Sequence, residues 1–580
     1  MWKKLGIGIF GLTTILCSCI SSNKNKEEVP NKFSEYIGRY ALKTDLVFEV
    51  KEESGLLTLL PSFWGSTQIL DSIDKDTYES LLHPRMKFEF KRDSTGKINS
   101  LISTGYNQIA GTAHKLHHDE YKAVEFLLKG KLNKSLAKLN DPNEKLSEER
   151  VVNLGFNLIR FRRSKAQIAF DFVSEFISKY PNSVDLYQIK GLASLLLNDR
   201  ENAILAFQEA FQIDSTNSMN ISALRLLNAQ NQSPIPENAW KLPYSIDDLF
   251  KEPIQNEIED VRNDWKNRDL STKKYKLEKE QQIEFDGHLY NLQILSHEVH
   301  GKKHFGAVLI PKGAKLRSSP IVLELHGVDS RYSPFNLEKA KMLKILKENR
   351  LKTIIAIPSF RGNSLTIGDQ KYTSEGSPKD AWDGAADDAI AFLNVIIDQV
   401  PESDPTRISV FGKSRGGTVA MLVGVRDSRI GSVINWAGPS GWFSKMGTFG
   451  WSLQEQVQWA LWERWPPGSG WGIGSQFIDW FLLESINSEK SNLRTVRHNI
   501  LSSSPIYFLE SLPSAQMHYG VEDGSVPILN AEALQNALNS QNRSNNKFKI
   551  YKHENTRHDQ PYPKAYQLTH EFLLNNLSKN

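Results

Sequence analysis

The hydrophobic rhythm of the chain changes twice, and each change predicts a different architecture. From residue 33 to about 115, apolar residues come in short runs: Leu46-Val-Phe-Glu-Val50, Leu56-Leu-Thr-Leu-Leu60, Met86-Lys-Phe-Glu-Phe-Lys91 and Ile98 to Ile102. Turn-forming stretches, Glu53-Ser-Gly55 and Asp93-Ser-Thr-Gly96, lie between them. Segment 33–117 is therefore expected to be a small antiparallel, barrel-like β domain. From 118 to 231 the period becomes helical. Residues 232–275, with Pro234, Pro236, Trp240 and Pro243, read as a connector plus one charged helix. Beyond 276, apolar strands such as Ile321–Leu325 and Ser432–Trp436 end in polar loops. That pattern predicts a C-terminal α/β domain, residues 276–580, on a mostly parallel sheet.

One of these strands carries the strongest chemical signal. In Arg407-Ile-Ser-Val-Phe-Gly-Lys-Ser-Arg-Gly-Gly417 an apolar strand meets G-x-S-x-G, and a helix-forming segment, Thr418 to Val423, follows at once. Strand, G-x-S-x-G and helix in that order form the nucleophile elbow of the α/β-hydrolase fold. The turn is so sharp that side chains two residues before and after the serine would collide with its neighbours, and glycine tolerates the strained dihedrals. Ser414 is the expected nucleophile. It needs a base, and an acid to orient that base, which in this fold follow in the order acid, then histidine. Ala515-Gln-Met-His-Tyr-Gly-Val-Glu-Asp-Gly-Ser-Val-Pro527 reads as a buried strand ending in a loop that holds Asp523. The next strand, Lys547 to His553, leads into Glu554-Asn-Thr-Arg-His558. Loops just past strand ends are where catalytic groups gather in α/β sheets. His553 and His570 compete with His558, Glu522 competes with Asp523, and Asp559 stands outside them. As an ordered set behind the elbow, Ser414, Asp523 and His558 are the expected triad. The oxyanion donors are the amide of Arg415 and that of Val328, with Gly327 as the alternative.

The segment from about 285 to the end resembles the prolyl oligopeptidase and dienelactone-hydrolase branch of the α/β-hydrolases. The likeness rests on His326-Gly327, Phe360-Arg361-Gly362, Gly412 to Gly417, Ser503-Ser-Pro505, and Gly520-x-x-Asp523-x-x-Val526-Pro527 ahead of His558. It implies a serine peptidase with an acyl-enzyme intermediate and no metal or organic cofactor. Two departures bear on this. Val328 stands where the family often has a second glycine, and the β-propeller that guards many such peptidases is missing. The second departure opens carboxylic or carbohydrate esters as alternative substrates. An envelope scaffold with an inert hydrolase domain is a further alternative, against which the complete triad speaks.

The regions in front also carry likenesses. Phe33-Ser-Glu-Tyr-Ile-Gly-Arg-Tyr40 with Phe90-Lys-Arg-Asp-Ser-Thr-Gly-Lys97 resembles small lipocalin-like modules attached to serine hydrolases. Tyr187, Gly191, Ala203, Phe207 and Ala210 fall at tetratricopeptide-repeat spacing. Leu154-Gly155, Ala166, Phe170, Val173 and Tyr180-Pro181 form an earlier copy, 36 residues before at its glycine. Two copies are fewer than the three or so that stand alone, so the unit is expected to pack against a neighbour. It is also the expected site for a protein partner.

The first residues place the protein. Met1-Trp-Lys-Lys is basic, and Leu5 to Leu16 is an apolar stretch of 12 residues, well short of the roughly 20 a membrane helix needs. This is the core of a signal peptide, residues 1–18. Leu16-Cys17-Ser18-Cys19 resembles a bacterial lipobox, with Cys19 as the lipidated residue and 19–32 as a polar tether. The expected location is the bacterial cell envelope, lipid-anchored and periplasmic or surface-facing. Cys17 and Cys19 are the only 2 cysteines among 580 residues, so no disulfide framework is expected. The 71 basic and 67 acidic residues leave a net charge of +4, which implies no nucleic-acid partner.

Eight of the 13 tryptophans lie in 436–480. Insertions after this strand form lids in the fold, so 439–498 is expected to be a tryptophan-rich lid over Ser414. Its rings form an aromatic wall for an apolar or sugar-like substrate, a small core of the lid itself, or a membrane-touching face. Lys413, Arg415 and Arg361 are the cations that an anionic substrate would meet.

Overall fold

The computed structural model of the protein describes residues 33–578 apart from 44, 54, 64–66, 81–84, 106–108, 228–234, 286, 328–334, 337–340, 444–448, 467–472, 489–490, 542, 544–546 and 559–563. Cys17, Cys19 and Val328 lie outside the described residues. Among the described residues, no helix is long and apolar enough to cross a membrane.

The first domain is a closed antiparallel barrel of eight strands: β1 Gly38–Lys43, β2 Leu46–Glu53, β3 Leu56–Pro61, β4 Gln68–Asp74, β5 Thr77–Ser80, β6 Lys87–Arg92, β7 Ile98–Thr104 and β8 Gly111–Lys115. Tyr40 opposite Lys115 and Ala41 opposite His114 close it. Eight strands leave an interior just wide enough for side chains to fill. Tyr36, Tyr40 and Tyr78 each pack an edge against Phe90, at centroid distances of 4.9, 5.7 and 5.6 Å. Tyr40, Phe48, Phe88 and Leu101 are fully buried beside them.

Seven helices follow between Ala123 and Leu226. The glycines singled out by spacing lie at close crossings. A Cβ on Gly155 would come within 2.8 Å of Val173, and one on Gly191 within 2.8 Å of Phe207. The helical core is not closed on itself. It shares Val47 and Phe63 with the barrel and Trp451 and Trp462 with the insertion.

The C-terminal domain is built on a mixed nine-stranded sheet, with a small sheet of three strands beside it. In chain order the strands are β9 Lys276–Phe285, β10 His288–Val299, β11 Lys302–Pro311, β12 Ser319–Leu325, β13 Phe335–Asn336, β14 Ile354–Ser359, β15 Ser364–Ile367, β16 Gln370–Thr373, β17 Ser403–Lys413, β18 Ile430–Trp436, β19 Ser514–Gly520 and β20 Phe548–His553. The large sheet runs β20-β19-β18-β17-β12-β14-β11-β10-β9. Neighbours from β20 to β14 are parallel, and those from β14 to β9 are antiparallel. Strand alternation sorts the layers. Leu323, Val410 and Val433 face the helices Asp383–Gln399 and Arg415–Arg426, whereas Val322, Phe411 and Ile434 face the helix Lys564–Leu577. β12 and β14 are buried throughout, as a doubly covered sheet requires. β9 closes one edge with Lys276, Glu278, Lys279 and Glu280, charges that discourage pairing with another chain.

The tryptophans of 436–480 divide among several cores. Trp442 and Trp480 pack on Trp382, with ring centroids 4.3 and 4.5 Å away. Trp451 and Trp462 belong to the helical core. Trp459 packs on Trp451 at 5.9 Å, and Trp465 lies against the core of the C-terminal domain. Trp436 is buried on the opposite face of the sheet, donating from Nε1 to Thr569 Oγ1 at 3.2 Å. Trp471 lies outside the described residues. Instead of lining one wall, the rings join the insertion to the helical domain and to the sheet.

Candidate active site

Ser414 sits between β17 and the helix Arg415–Arg426 with φ 56° and ψ −126°, a region that costs a non-glycine residue about 1–3 kcal/mol. Its surroundings hold it there. Ser414 N donates to Trp436 O at 2.8 Å, and Gly417 N donates back to Ser414 O at 2.8 Å. A Cβ on Gly412 would overlap the Gly416 carbonyl, one on Gly416 the Leu325 carbonyl, and one on Gly417 the Asn435 side chain. Asn435 is a residue the spacing of motifs does not reveal. Its Oδ1 accepts from Gly438 N at 2.8 Å and its Nδ2 donates to Tyr519 Oη at 3.2 Å, which fixes the strand end behind the elbow. A lone asparagine in an apolar strand was the available signal, because buried amides are bonded to something.

The loops after β19 and β20 bring the other two residues to the serine. His558 Nε2 lies 2.8 Å from Ser414 Oγ, and His558 Nδ1 lies 2.8 Å from Asp523 Oδ2. Asp523 is 1% exposed, and its other oxygen accepts from the amides of Ser525 and Val526 at 2.8 and 2.9 Å. With the carboxylate as acceptor, Nδ1 carries the proton and Nε2 is left to accept from the hydroxyl.

The competing residues are engaged elsewhere. His553 Nε2 faces His518 Nδ1 at 2.9 Å, and burial pushes His553 down to about 4. His570 lies in the final helix. Glu522 binds Ser164 of the helical domain. Asp559 lies outside the described residues.

Arg415 is the first residue of its helix, a position whose amide projects from the helix N-terminus. Gly327 backs onto the serine: a Cβ there would lie 3.6 Å from Ser414 Cβ. The Arg415 side chain is 3% exposed. It donates to Gly327 O at 3.0 Å, to His326 Nδ1 at 3.1 Å and to Asn363 Oδ1 at 3.3 Å, tying the loop after β12 to the elbow. Burial and the Arg415 charge hold His326 down at about 3, so this ring is neutral and able to accept. Arg361 is engaged likewise, donating from its amide to Asp388 Oδ2 and from Nη2 to Asp388 Oδ1, both at 2.8 Å. Two of the three cations singled out for an anionic substrate therefore fasten the fold. Among the described residues, the one grouping of metal-ligand type is His117, His118 and Asp119, an exposed cluster just past β8.

No family model matches the chain, and no curated protein matches it. Several solved structures are similar over part of the chain. An acetyl xylan esterase from Thermoanaerobacterium sp. JW/SL YS485 is 15% identical, with 58% of this chain and 99% of that chain covered and a TM-score of 0.40. An acetyl xylan esterase from Paenibacillus sp. R4 is 14% identical, with 58% and 96% covered and a TM-score of 0.37. An acylaminoacyl peptidase from Pyrococcus horikoshii is 13% identical, with 53% and 50% covered and a TM-score of 0.34.

Proposed function

We propose that the protein is a serine hydrolase acting through Ser414, His558 and Asp523. The observation that carries this reading is the single imidazole placed 2.8 Å from both the Ser414 hydroxyl and the Asp523 carboxylate. His558 Nε2 takes the hydroxyl proton as Ser414 Oγ attacks the acyl carbon, and Asp523 stabilises the resulting imidazolium. The oxyanion rests on the amide of Arg415 and on a second donor from 327–328. Collapse expels the leaving group with the proton from His558. Water then repeats the sequence on the acyl-enzyme, which releases the acid and restores the serine.

The acyl donor is a peptide or an ester. The prolyl oligopeptidase-like motifs favour the peptide, and attachment to the envelope through a lipid on Cys19 belongs to the same proposal. Labelling by a fluorophosphonate tests the nucleophile, because the probe reacts only with an activated serine. A panel of p-nitrophenyl esters against aminoacyl and prolyl amides separates the two donors. Absence of Ser414-dependent labelling would overturn the reading.

A further inference from the structure

The turn at residues 162–165 of the helical domain lies on the loop that carries Asp523. Ser164 N donates to Glu522 Oε2 at 3.1 Å, and the Ser164 hydroxyl donates to Glu522 Oε1. Glu522 is 1% exposed, so these charge-assisted bonds hold a carboxylate that has left water. The Arg163 guanidinium lies against Gly524. A Cβ on Gly524 would come within 2.8 Å of Arg163 Nη2 and 3.2 Å of its Cζ. The guanidinium also lies 4.4 Å from the Phe449 ring, and its Nε is buried with no hydrogen-bond partner among the described residues. Burial pushes this guanidinium down to about 10, while the charges of Asp523 and Glu522 pull it back up. Arg162 donates to Pro61 O of the barrel at 2.7 Å. Arg557, next to His558, lies over the Phe161 ring at 4.8 Å. Residues on both sides of Asp523, and the one before His558, are thus in contact with the helical domain.

We propose that Ser164 and Arg163 are positioning residues for Asp523, supplied from outside the hydrolase domain. This inference rests on the proposed serine-hydrolase reading. Within its own loop Asp523 is held through Oδ1, by Ser525 and Val526, and through its amide, which donates to Gly520 O at 3.3 Å. Backbone bonds from Val521 N to His553 O and from Glu522 N to Thr556 O, both 2.9 Å, join this loop to the one that carries His558, and the contacts from the helical domain add to them. Ser164 clamps the loop through Glu522, and Arg163 covers Gly524 and sets a positive charge beside the carboxylate. Triads need their groups held to within about 0.5 Å. The helical domain therefore completes the active site.

The test uses the full-length chain with Ser164→Ala, Arg163→Met and Arg163→Lys, each alone and combined with Asp523→Asn. Steady-state hydrolysis of p-nitrophenyl acetate and the second-order rate of fluorophosphonate labelling are measured, with thermal melting to verify folding. Arg163→Met is expected to lower kcat about tenfold and Ser164→Ala about threefold, with KM within about twofold of wild type. Arg163→Lys should recover most of the loss. In the Asp523→Asn background neither substitution should slow labelling further, because the group they place is already disabled. Unchanged kcat in Ser164→Ala and Arg163→Met, or equal losses in both backgrounds, would overturn the inference. Should Arg163→Met fail to fold, Ser164→Ala alters only an exposed side chain and still decides. Wild-type protein that shows no Ser414-dependent labelling would instead sink the serine-hydrolase reading.

Discussion

Two polar clusters in the C-terminal domain use the same kinds of groups to opposite ends. On the helix Asp383–Gln399, Asp383 and Asp387 meet Arg268 at 2.7 and 3.1 Å, Asp387 also meets Arg426 and His300, and Asp388 meets Arg361 at 2.8 Å. Burial pushes the Asp387 carboxyl up, but His300, Arg426 and Arg268 outweigh it and hold it well below its ordinary range. Each charge there answers another, and the result is a fixed scaffold. The Asp523–His558–Ser414 cluster is a line instead: a carboxylate, a ring and a hydroxyl, with the hydroxyl at the end where a substrate would arrive. Mutual saturation holds residues in place, whereas an open-ended chain leaves one bond available to react.

The sharpest way to break the contrast is Ser414→Ala. It should abolish probe labelling and turnover, with a melting temperature within about 2 °C of wild type, since one turn hydroxyl is lost and no packing. Retained turnover would refute the catalytic line outright. His558→Ala should cost roughly three to six orders of magnitude in kcat, whereas His553→Ala should stay within about tenfold. The reverse order would move the base onto the end of β20. On the scaffold side the effect should appear in stability. Asp387→Ala leaves Arg268 and Arg426 facing a vacated position and should cost about 3–5 kcal/mol in urea unfolding, while the folded fraction labels at a near-normal rate. A large loss of labelling rate in folded Asp387→Ala would mean that the two clusters are not separate.

A further effect concerns pH. Burial lowers His297 to about 3, His304 to about 4, His326 to about 3 and His553 to about 4, from an ordinary 6.5, and lowers His518 as well. Once the pH falls below about 6.5 the unfolded chain binds more protons than the folded one, so stability declines toward pH 4 and is full above 6.5. The Asp387 pairs add little in this window, because their carboxylate protonates at lower pH. A urea midpoint that stays flat from pH 7 to 4.5 would show that these rings are not held neutral.

What the sequence made legible was decided by short-range sterics. The glycines around Ser414 sit where a Cβ would strike a neighbouring carbonyl or side chain, and that demand is written within six residues. Asp523 and His558 follow because loops past parallel strands converge on one edge of the sheet. The barrel was half legible: β2, β3, β6 and β7 carry apolar runs. β4 turns polar at Asp71-Ser-Ile-Asp74, and the short β5 and β8 offer only a few apolar residues each. For the tryptophans, composition showed their density but had no means of saying which core each joins. Glu522 looked like a rival of Asp523 because its partner, Ser164, belongs to a different domain and neither residue has a period to betray it.

The Ser164–Glu522 bond joins positions separated by 358 residues. Contacts of that span form late, because the chain between them must first be ordered and the closure entropy met. The helices can form from local contacts as they emerge from synthesis, but the acid loop can be clamped only after domain docking. In refolding experiments, helical circular dichroism should therefore recover before fluorophosphonate reactivity, with a lag set by docking. Under this sequence of events, a chain whose domains have not yet docked would carry Ser414 already made and not yet armed.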